Sequence, residues 1–551
     1  MADKTYDVVI VGGGNKSLVT AMYLTKYGGL SVGLFEERHE LGSGWSSEEP
    51  SPGWAGNTCS NDHMFWYNAP VNWDFPEFMD YGGRYALAPT TVGTAFDDGT
   101  CFLQFSAFPE VDPTQERTAE LISRFSKKDA DTYLKLWDKS INYWYPAMME
   151  WCFNPAKPVR ELDAMDKLCM DPASGIDPHW LLMNPVQLFT TLFEDPRMQV
   201  GFFRVLQSWG IAADEPGAGW PALMAELTWL PFHCYGVGGT HVLTHAAYRI
   251  ICGNGGEAWT SKKVDKVLVE NGRARGVRLA DGTEVEAKVA VITCVDPYQL
   301  VFDLIGPEKL DPVIVRKVKH LSRDWIAINW YSWALTERPK WTCEDFEPWA
   351  KYCAWMCFGG SSSLDIETFK KESAERRAGI WPTTMNILVS YMGVNEVEDF
   401  DQCMAPPKYG FKILTEQFVL PAFKLSDEEW KERERRHAEE VIALTHKFAP
   451  NVSWDIVAGY VPVTPHYTRN FARNYGPAGN WAVIDNTPAQ IGKFRPTPEL
   501  AGNRVPGIKG LYCTGTAWHP FAIGTSAQGY NCYKVMAEDL GLKKTWEGRP
   551  F

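Results

Sequence analysis

Gly12, Gly14 and Ser17 in VGGGNKS, with Glu36 closing the apolar run that follows, point most directly to chemistry in this sequence. Gly12 permits a tight turn, and Gly14 lets the backbone approach a diphosphate. The third motif position must be small so that helix and strand can pack, and Ser17 stands there in place of the usual glycine. Asn15 precedes a helix whose N-terminal N–H groups and partial positive charge favour an anion, and it is a candidate cofactor-binding residue. Glu36 would accept hydrogen bonds from ribose hydroxyls. The chemistry is dinucleotide binding, and these residues alone suit NAD as well as FAD.

Those residues need a strand, a turn, a helix and a second strand to position them. The apolar pattern predicts a strand over 6–11, a helix over about 16–27 and a strand over 30–35. The next stretch, ERHELGSGWSSEEPSPGWAGNTCS, returns toward the nucleotide. Gly42, Ser43 and Gly44 in it are small enough for backbone to pass close over a cofactor.

At 551 residues the chain exceeds one simple core, and two intertwined domains are expected. A net charge of −14 argues against a nucleic-acid partner, which would need a basic face. No segment reads as a signal peptide or a membrane span, so a cytoplasmic protein is expected, with peripheral contact at the inner face of a membrane left open. The 13 cysteines are scattered, and Cys353 and Cys357 form CxxxC with no companion pair, so no metal is expected. The 24 tryptophans cluster in HMFWYNAP, NYWYPAMMEW and INWYSW, which suggests an apolar cavity lined by ring faces as well as a large core.

Dinucleotide features return twice. HCYGVGGTHVLTHAA and the strands after it, with turns at Asn271-Gly272 and Asp281-Gly282, place a second piece at 230–297. GLYCTGTAWHPFAIGTSAQGYN gives a strand, a small-residue turn and a terminal helix from about Thr525, a third piece at 479–551. With the first piece at 1–71, the chain is expected to be α/β: a Rossmann-like domain assembled from discontinuous segments, with an inserted α+β substrate domain at 72–229 and 298–478. Within the latter, Ser426 to Glu429 reads as a capping box opening a helix to about Phe448.

For proton transfer, His519 in TAWHPF is the best-placed titratable group and His63 in DHMFWY the second candidate. No HExxH, P-loop or Ser-His-Asp order is present.

Taken together, VVIVGGGNKSLVTAMYLTKYGGLSVGLFEE, VGGTHVLTHAA with KVDKVLVENGRARGVRLADGTEVEA, and FRPTPEL with PGIKGLYCTGTAWHPFAIGTSAQGYN resemble the phytoene desaturase-like flavin oxidoreductases, in that family's order. The resemblance implies FAD, with its pyrophosphate at Gly12 and Gly14, its adenosine ribose at Glu36 and its adenine side near Val264. It also implies that Gly515 lies by the ribityl-pyrophosphate and that Gly524, Thr525 and Ser526 bring a helix N-terminus to the flavin pyrimidine. Phe521, Ala522 and Ile523 depart from the glycine run the family favours there.

The implied reaction is hydride abstraction from an allylic or otherwise activated C–H of a small apolar substrate, an isoprenoid between monoterpene and carotenoid size. Desaturation or dehydrogenative hydroxylation would follow, with the electron acceptor unknown and a homo- or heterodimer open. Two other readings stand beside it: an amine oxidase-like FAD oxidase on a polar substrate, and a degenerate flavoprotein serving as structural partner of a catalytic paralogue.

Overall fold

A computed structural model describes residues 4–60, 63–201, 209–391, 403–406, 410–522 and 524–551. The opening run KTYDVVIV has its apolar side chains sealed on both faces, as a central parallel strand requires, and forms Lys4–Val11. It pairs in parallel with Val32–Phe35 on one side and Glu284–Thr293 on the other. The sheet runs Glu257–Trp259, Val32–Phe35, Lys4–Val11, Glu284–Thr293, Arg273–Leu279, Val264–Glu270, and Leu511–Cys513 pairs with the far half of Glu284–Thr293. Its strands therefore come from three widely separated stretches of chain. The Asn271-Gly272 and Asp281-Gly282 turns lie at the ends of the two antiparallel strands, with Asn271 at φ 49°.

Helices Asn15–Lys26 and Ala527–Leu540 pack together on this sheet. A Cβ at Gly529 would lie 2.3 Å from Lys16 O, so glycine is required where the two helices touch. Thr20 Oγ1 also donates to Gly529 O at 2.9 Å.

A second seven-stranded sheet runs Val457–Val463, Ile328–Leu335, Phe411–Phe418, Asn386–Tyr391, Cys353–Gly359, Thr90–Ala95, Cys101–Phe105. The capping box forms as read: Ser426 Oγ accepts from Glu429 N, and the helix spans Asp427–Phe448. Its Ala438, Val441 and Phe448 cover Trp333, Phe358 and Val389 on one face of this sheet. Trp330, Leu414 and Phe418 on the other face turn toward Cys59, Tyr235 and Ala522. The INWYSW cluster thus divides between two cores, as alternation along a strand dictates.

The described residues between 116 and 228 are mostly helical. Lys127–Lys139 continues through a wide turn, Ser140–Trp144, into Tyr145–Cys152. Pro146, which lacks an N–H and crowds the preceding turn, sits at that widening. His233–Gly236, near the second glycine turn, pairs with His63–Met64 and Tyr85–Leu87 in a small separate sheet. Among the described residues no helix is long and apolar enough to cross a membrane.

Candidate functional site

The parallel strands finish level with one another: Val11 lies opposite Phe35 and Thr293, and Thr293 opposite Cys513. The next residues, Gly12, Glu36, Cys294 and Thr514, therefore share one sheet edge, where the carboxyl ends of strands open a crevice for ligands. Gly12 turns the chain there at φ +92°, and a Cβ on it would lie 2.9 Å from Cys294 O. Gly14 is the N-cap of Asn15–Lys26; no side chain caps that helix, and its first turn holds no acidic residue. The segment from Gly42 to Gly44 crosses the turn: Gly42 N–H donates to Gly13 O at 2.8 Å, and Gly42 O accepts from Asn15 N at 3.2 Å.

Ser17 is fully buried, and its hydroxyl lies 2.7 Å from both Gly12 O and Gly14 O. The side chain that departs from the glycine motif thus closes the turn from within. Glu36 accepts from Gly13 N at 2.6 Å through one carboxyl oxygen and from Arg38 N at 2.8 Å through the other. Burial raises its pKa, against the pull of those two N–H groups. Glu36 O in turn accepts from Lys262 N at 2.7 Å, which brings the chain entering Val264 beside the Glu36 end of the crevice.

The crevice holds about 650 Å³, including its open mouth. Gly14, Asn15, Ser43, Gly44, Gly515 and Gly524 all line it. Gly515 turns at φ +126°, and a Cβ on Gly44 would meet nothing within 4 Å. Gly12 and Glu36 form the turn behind this lining. Thr525 and Ser526 lie at the start of Ala527–Leu540, where both hydroxyls donate to Tyr67 O, at 2.8 and 2.7 Å. They anchor the helix start to Tyr67. Ile523 lies outside the described residues.

Lining residues absent from the motif reading include Lys16, Cys59, Asp296, Asn474, Tyr475 and Trp481. Asn474 and Tyr475 come from a stretch without nucleotide motifs, so only the fold brings them here. Asn474 Oδ1 accepts from Asp296 N at 2.9 Å, fixing that loop to the strand end. Lys16 alone was open to inference, because it lies inside the glycine turn at the first turn of the anion-facing helix. Burial pulls its ammonium down to about 7, against the opposing pull of the Cys294 and Cys59 thiols. Burial drives both thiols up to about 11, so neither is a ready nucleophile. Asp296 is raised by burial and held by Gln299 Nε2 at 2.6 Å and Tyr298 N at 2.7 Å.

His519 falls elsewhere. His519 is buried, its ring nitrogen Nε2 lies 2.9 Å from Trp151 O, and it borders a separate opening beside Glu150 and Asn154. Burial lowers its pKa. This is the setting of a packing histidine, one step removed from the crevice. The backbone of His63 lies in the short strand His63–Met64, and its side chain lies outside the described residues.

No protein-family model matches the sequence. Over 98% of its length the chain is 24% identical to one of the subunits of limonene dehydrogenase from Castellaniella defragrans, covering 96% of that protein. Over 52% of its length it is 25% identical to a 4,4'-diapophytoene desaturase of a Methylomonas species, covering 53% of that protein. In three dimensions it is similar to an oxidoreductase from Methanosarcina mazei, with a TM-score of 0.58, 14% identity, and coverage of 96% of this chain and 99% of that one. It is equally similar to putrescine oxidase with putrescine bound, at a TM-score of 0.58, 14% identity, and coverage of 97% and 99%. The chain is an FAD-dependent oxidoreductase related to the phytoene desaturases.

The crevice of this oxidoreductase fits FAD. Its walls are glycine backbone at Gly14, Gly44, Gly515 and Gly524, where side chains would fill the space, and an uncapped helix N-terminus faces into it. Lys16 adds an amine to that end, which a bound diphosphate would favour in its charged form. The relatedness extends through the helical stretch between the nucleotide segments, where the sequence shows no motif.

Proposed function

We propose that the protein removes hydride from an allylic or otherwise activated C–H of an apolar isoprenoid, giving a desaturated or hydroxylated product. One observation carries this reading: the chain segment that brings Gly524 to the FAD crevice also carries Phe521, which is stacked between two tryptophans. Phe521 stacks on Trp229 with centroids 4.6 Å apart and on Trp151 at 5.8 Å. Trp229 also touches Trp66 at 6.1 Å and Trp209 at 4.4 Å. Bound FAD supplies a two-electron acceptor for the hydride.

The rings packed behind the Gly524 segment are apolar, which suits a hydrocarbon, and a ring face opened to the substrate would stabilise developing positive charge by roughly 0.5–2 kcal/mol when desolvated. A polar amine substrate would need buried hydrogen-bond partners or a carboxylate there, whereas Phe521, Trp151 and Trp229 offer apolar surface. The limonene dehydrogenase subunit and the diapophytoene desaturase are relatives whose names place them with isoprenoids, which supports the same substrate class. The first of these is named as one subunit of its enzyme, which also supports assembly with a second chain.

The test is anaerobic reduction. Limonene or a longer acyclic isoprenoid added to the yellow holoenzyme should bleach the flavin band, while putrescine should leave it unchanged. Bleaching by the amine and not by the hydrocarbons overturns the reading.

A further inference from the structure

Trp151 is buried against Phe521, with 7% of its surface exposed. It also lines a groove of about 990 Å³, open to solvent, with Trp220 and Met224. The rim carries Leu162 and Met170, which are 52% and 68% exposed, and Phe494. Large apolar side chains held in water around a concave apolar floor mark a binding surface rather than a folding core.

We propose that this groove is an outer binding site for a neutral, apolar, hydrocarbon-like ligand on its way to the FAD crevice. The proposal rests on the substrate class given above. Two features choose the ligand.

The first is charge. The groove contains Asp163, Asp166 and Lys493, and all three are engaged with one another or with backbone. Asp163 and Asp166 each accept the other's N–H at 2.9 Å in the capping box that starts Ala164–Met170. Lys493 Nζ donates to Asp166 Oδ2 at 2.5 Å and to Glu161 O at 3.0 Å. With the ammonium committed to Asp166 and Asp163 leaving one carboxylate in excess, a fatty-acid headgroup would find no free cation and would be repelled, and a ligand without an anionic headgroup fits better.

The second is continuity with the cofactor site. Trp151, which lines the groove, stacks on Phe521, and Phe521 is three residues from Gly524, which lines the FAD crevice. Three residues span at most about 11 Å. A hydrocarbon seated on Trp151 is therefore one aromatic layer from the segment that borders the flavin. The Trp151–Phe521 stack is the partition that it must pass.

The experiment uses FAD-loaded protein and Nile red, a neutral apolar fluorophore, with limonene and decanoate as competitors. The double variant Leu162→Glu/Met170→Glu alters only exposed rim side chains, and its flavin absorbance reports that the protein is folded and loaded. Nile red should bind once per chain, be displaced by limonene at a concentration at least tenfold below that needed of decanoate, and bind at least tenfold more weakly to the double variant. In turnover, the variant should raise the KM for limonene at least tenfold with kcat within twofold.

Unchanged Nile red affinity in the variant overturns the proposal, as does decanoate competing better than limonene. Conversion of a dimer to a monomer by the substitutions, or loss of binding to phosphatidylcholine vesicles with Nile red binding intact, assigns the groove to another occupant and also overturns it. If Nile red binding depends on the rim but limonene never bleaches the flavin, the groove stands and the substrate reading falls. If limonene bleaches the flavin with an unaltered KM in the variant, the groove falls and the substrate reading stands.

Discussion

Gly42 and Gly13 are tied together, Gly42 N–H donating to Gly13 O at 2.8 Å, so the loop after the second strand is fastened to the glycine turn before any cofactor arrives. The contact separates two kinds of glycine. Gly42 sits at φ +108°, and a Cβ there would lie 2.4 Å from Thr244 Oγ1 and 2.6 Å from Trp45 O. Gly14 has φ −69°, and its Cβ would meet nothing closer than Ser43 Cβ at 3.6 Å. Gly42→Ala should therefore destabilise the protein by roughly 2 kcal/mol or more, from strain and overlap. Gly14→Ala should leave the thermal midpoint of the apoprotein within about 2 °C while weakening FAD at least tenfold, because its methyl enters the crevice. Apoprotein melting with FAD titration by flavin fluorescence checks both. Equal loss of stability in the two variants would contradict the distinction.

Arg495 organises the loops on the far side of the crevice. Fully buried, its guanidinium donates to the carbonyls of Asp485, Gln490, Ala482, Ile484 and Thr516, and Thr516 itself lines the crevice. Arg495→Met removes the donors and leaves those carbonyls without them, at a cost of about 3–5 kcal/mol. Arg495→Lys should recover little, because an ammonium cannot reproduce a planar fork that reaches separate carbonyls. Denaturant unfolding of the two variants should give similar large losses, and both should retain less FAD than the wild type.

The sequence made one half of this site visible and hid the other. The glycine turn and Glu36 are local, with each residue type answering to a neighbour a few positions away, so spacing alone reveals them. Ser17 reads as a defect until its hydroxyl is seen against Gly12 O and Gly14 O, since the bond that replaces the missing glycine is invisible in a motif. Asn474 and Tyr475 carry no local signal at all. Their position depends on a loop docking against Asp296, a contact across 178 residues. His519 misleads for the complementary reason: it is near the flavin segment in sequence, but the backbone turns its ring toward Trp151 O. The tryptophan clusters suggested one aromatic cavity, yet alternation along the strand sends Trp333 to the helix-covered core and Trp330 to the opposite face. Fold class and cofactor were thus legible from short-range pattern, and the groove at Trp151 required the packed helices.

His437 gives the fold a pH limit. It is buried against the second sheet with Nε2 2.5 Å from Gln417 Oε1, and burial, with Arg433 nearby, lowers its pKa to about 3. The folded value lies below the unfolded value of about 6.5, so the neutral ring is the form the fold holds. Its contribution to stability is complete above pH 6.5 and is lost as pH falls from there toward 3. At pH 5 the loss should be about 2 kcal/mol, from about 1.5 pH units at 1.36 kcal/mol each. His437→Gln should flatten the stability profile between pH 6.5 and 5 by that amount. Chemical denaturation across the interval measures it, and an unchanged slope in the variant would remove His437 as the cause.

Lys16 links cofactor binding to protons. It lines the crevice at the first turn of the anion-facing helix, where burial brings its pKa to about 7, far below the ordinary lysine value of about 10.4. Above pH 7 it is therefore mostly neutral in the apoprotein. A bound diphosphate brings negative charge to this helix end, favours the ammonium and raises the pKa. FAD binding should then take up protons between about pH 7 and 9, and uptake should vanish below about pH 6, where Lys16 is charged before binding. Calorimetric titration in buffers of different ionisation enthalpy reads the proton count directly. Lys16→Met should abolish the uptake at pH 8 and weaken FAD by about tenfold, the equivalent of about 1.4 kcal/mol. A proton count of zero at pH 8 in the wild-type protein would place the diphosphate out of reach of the Lys16 ammonium.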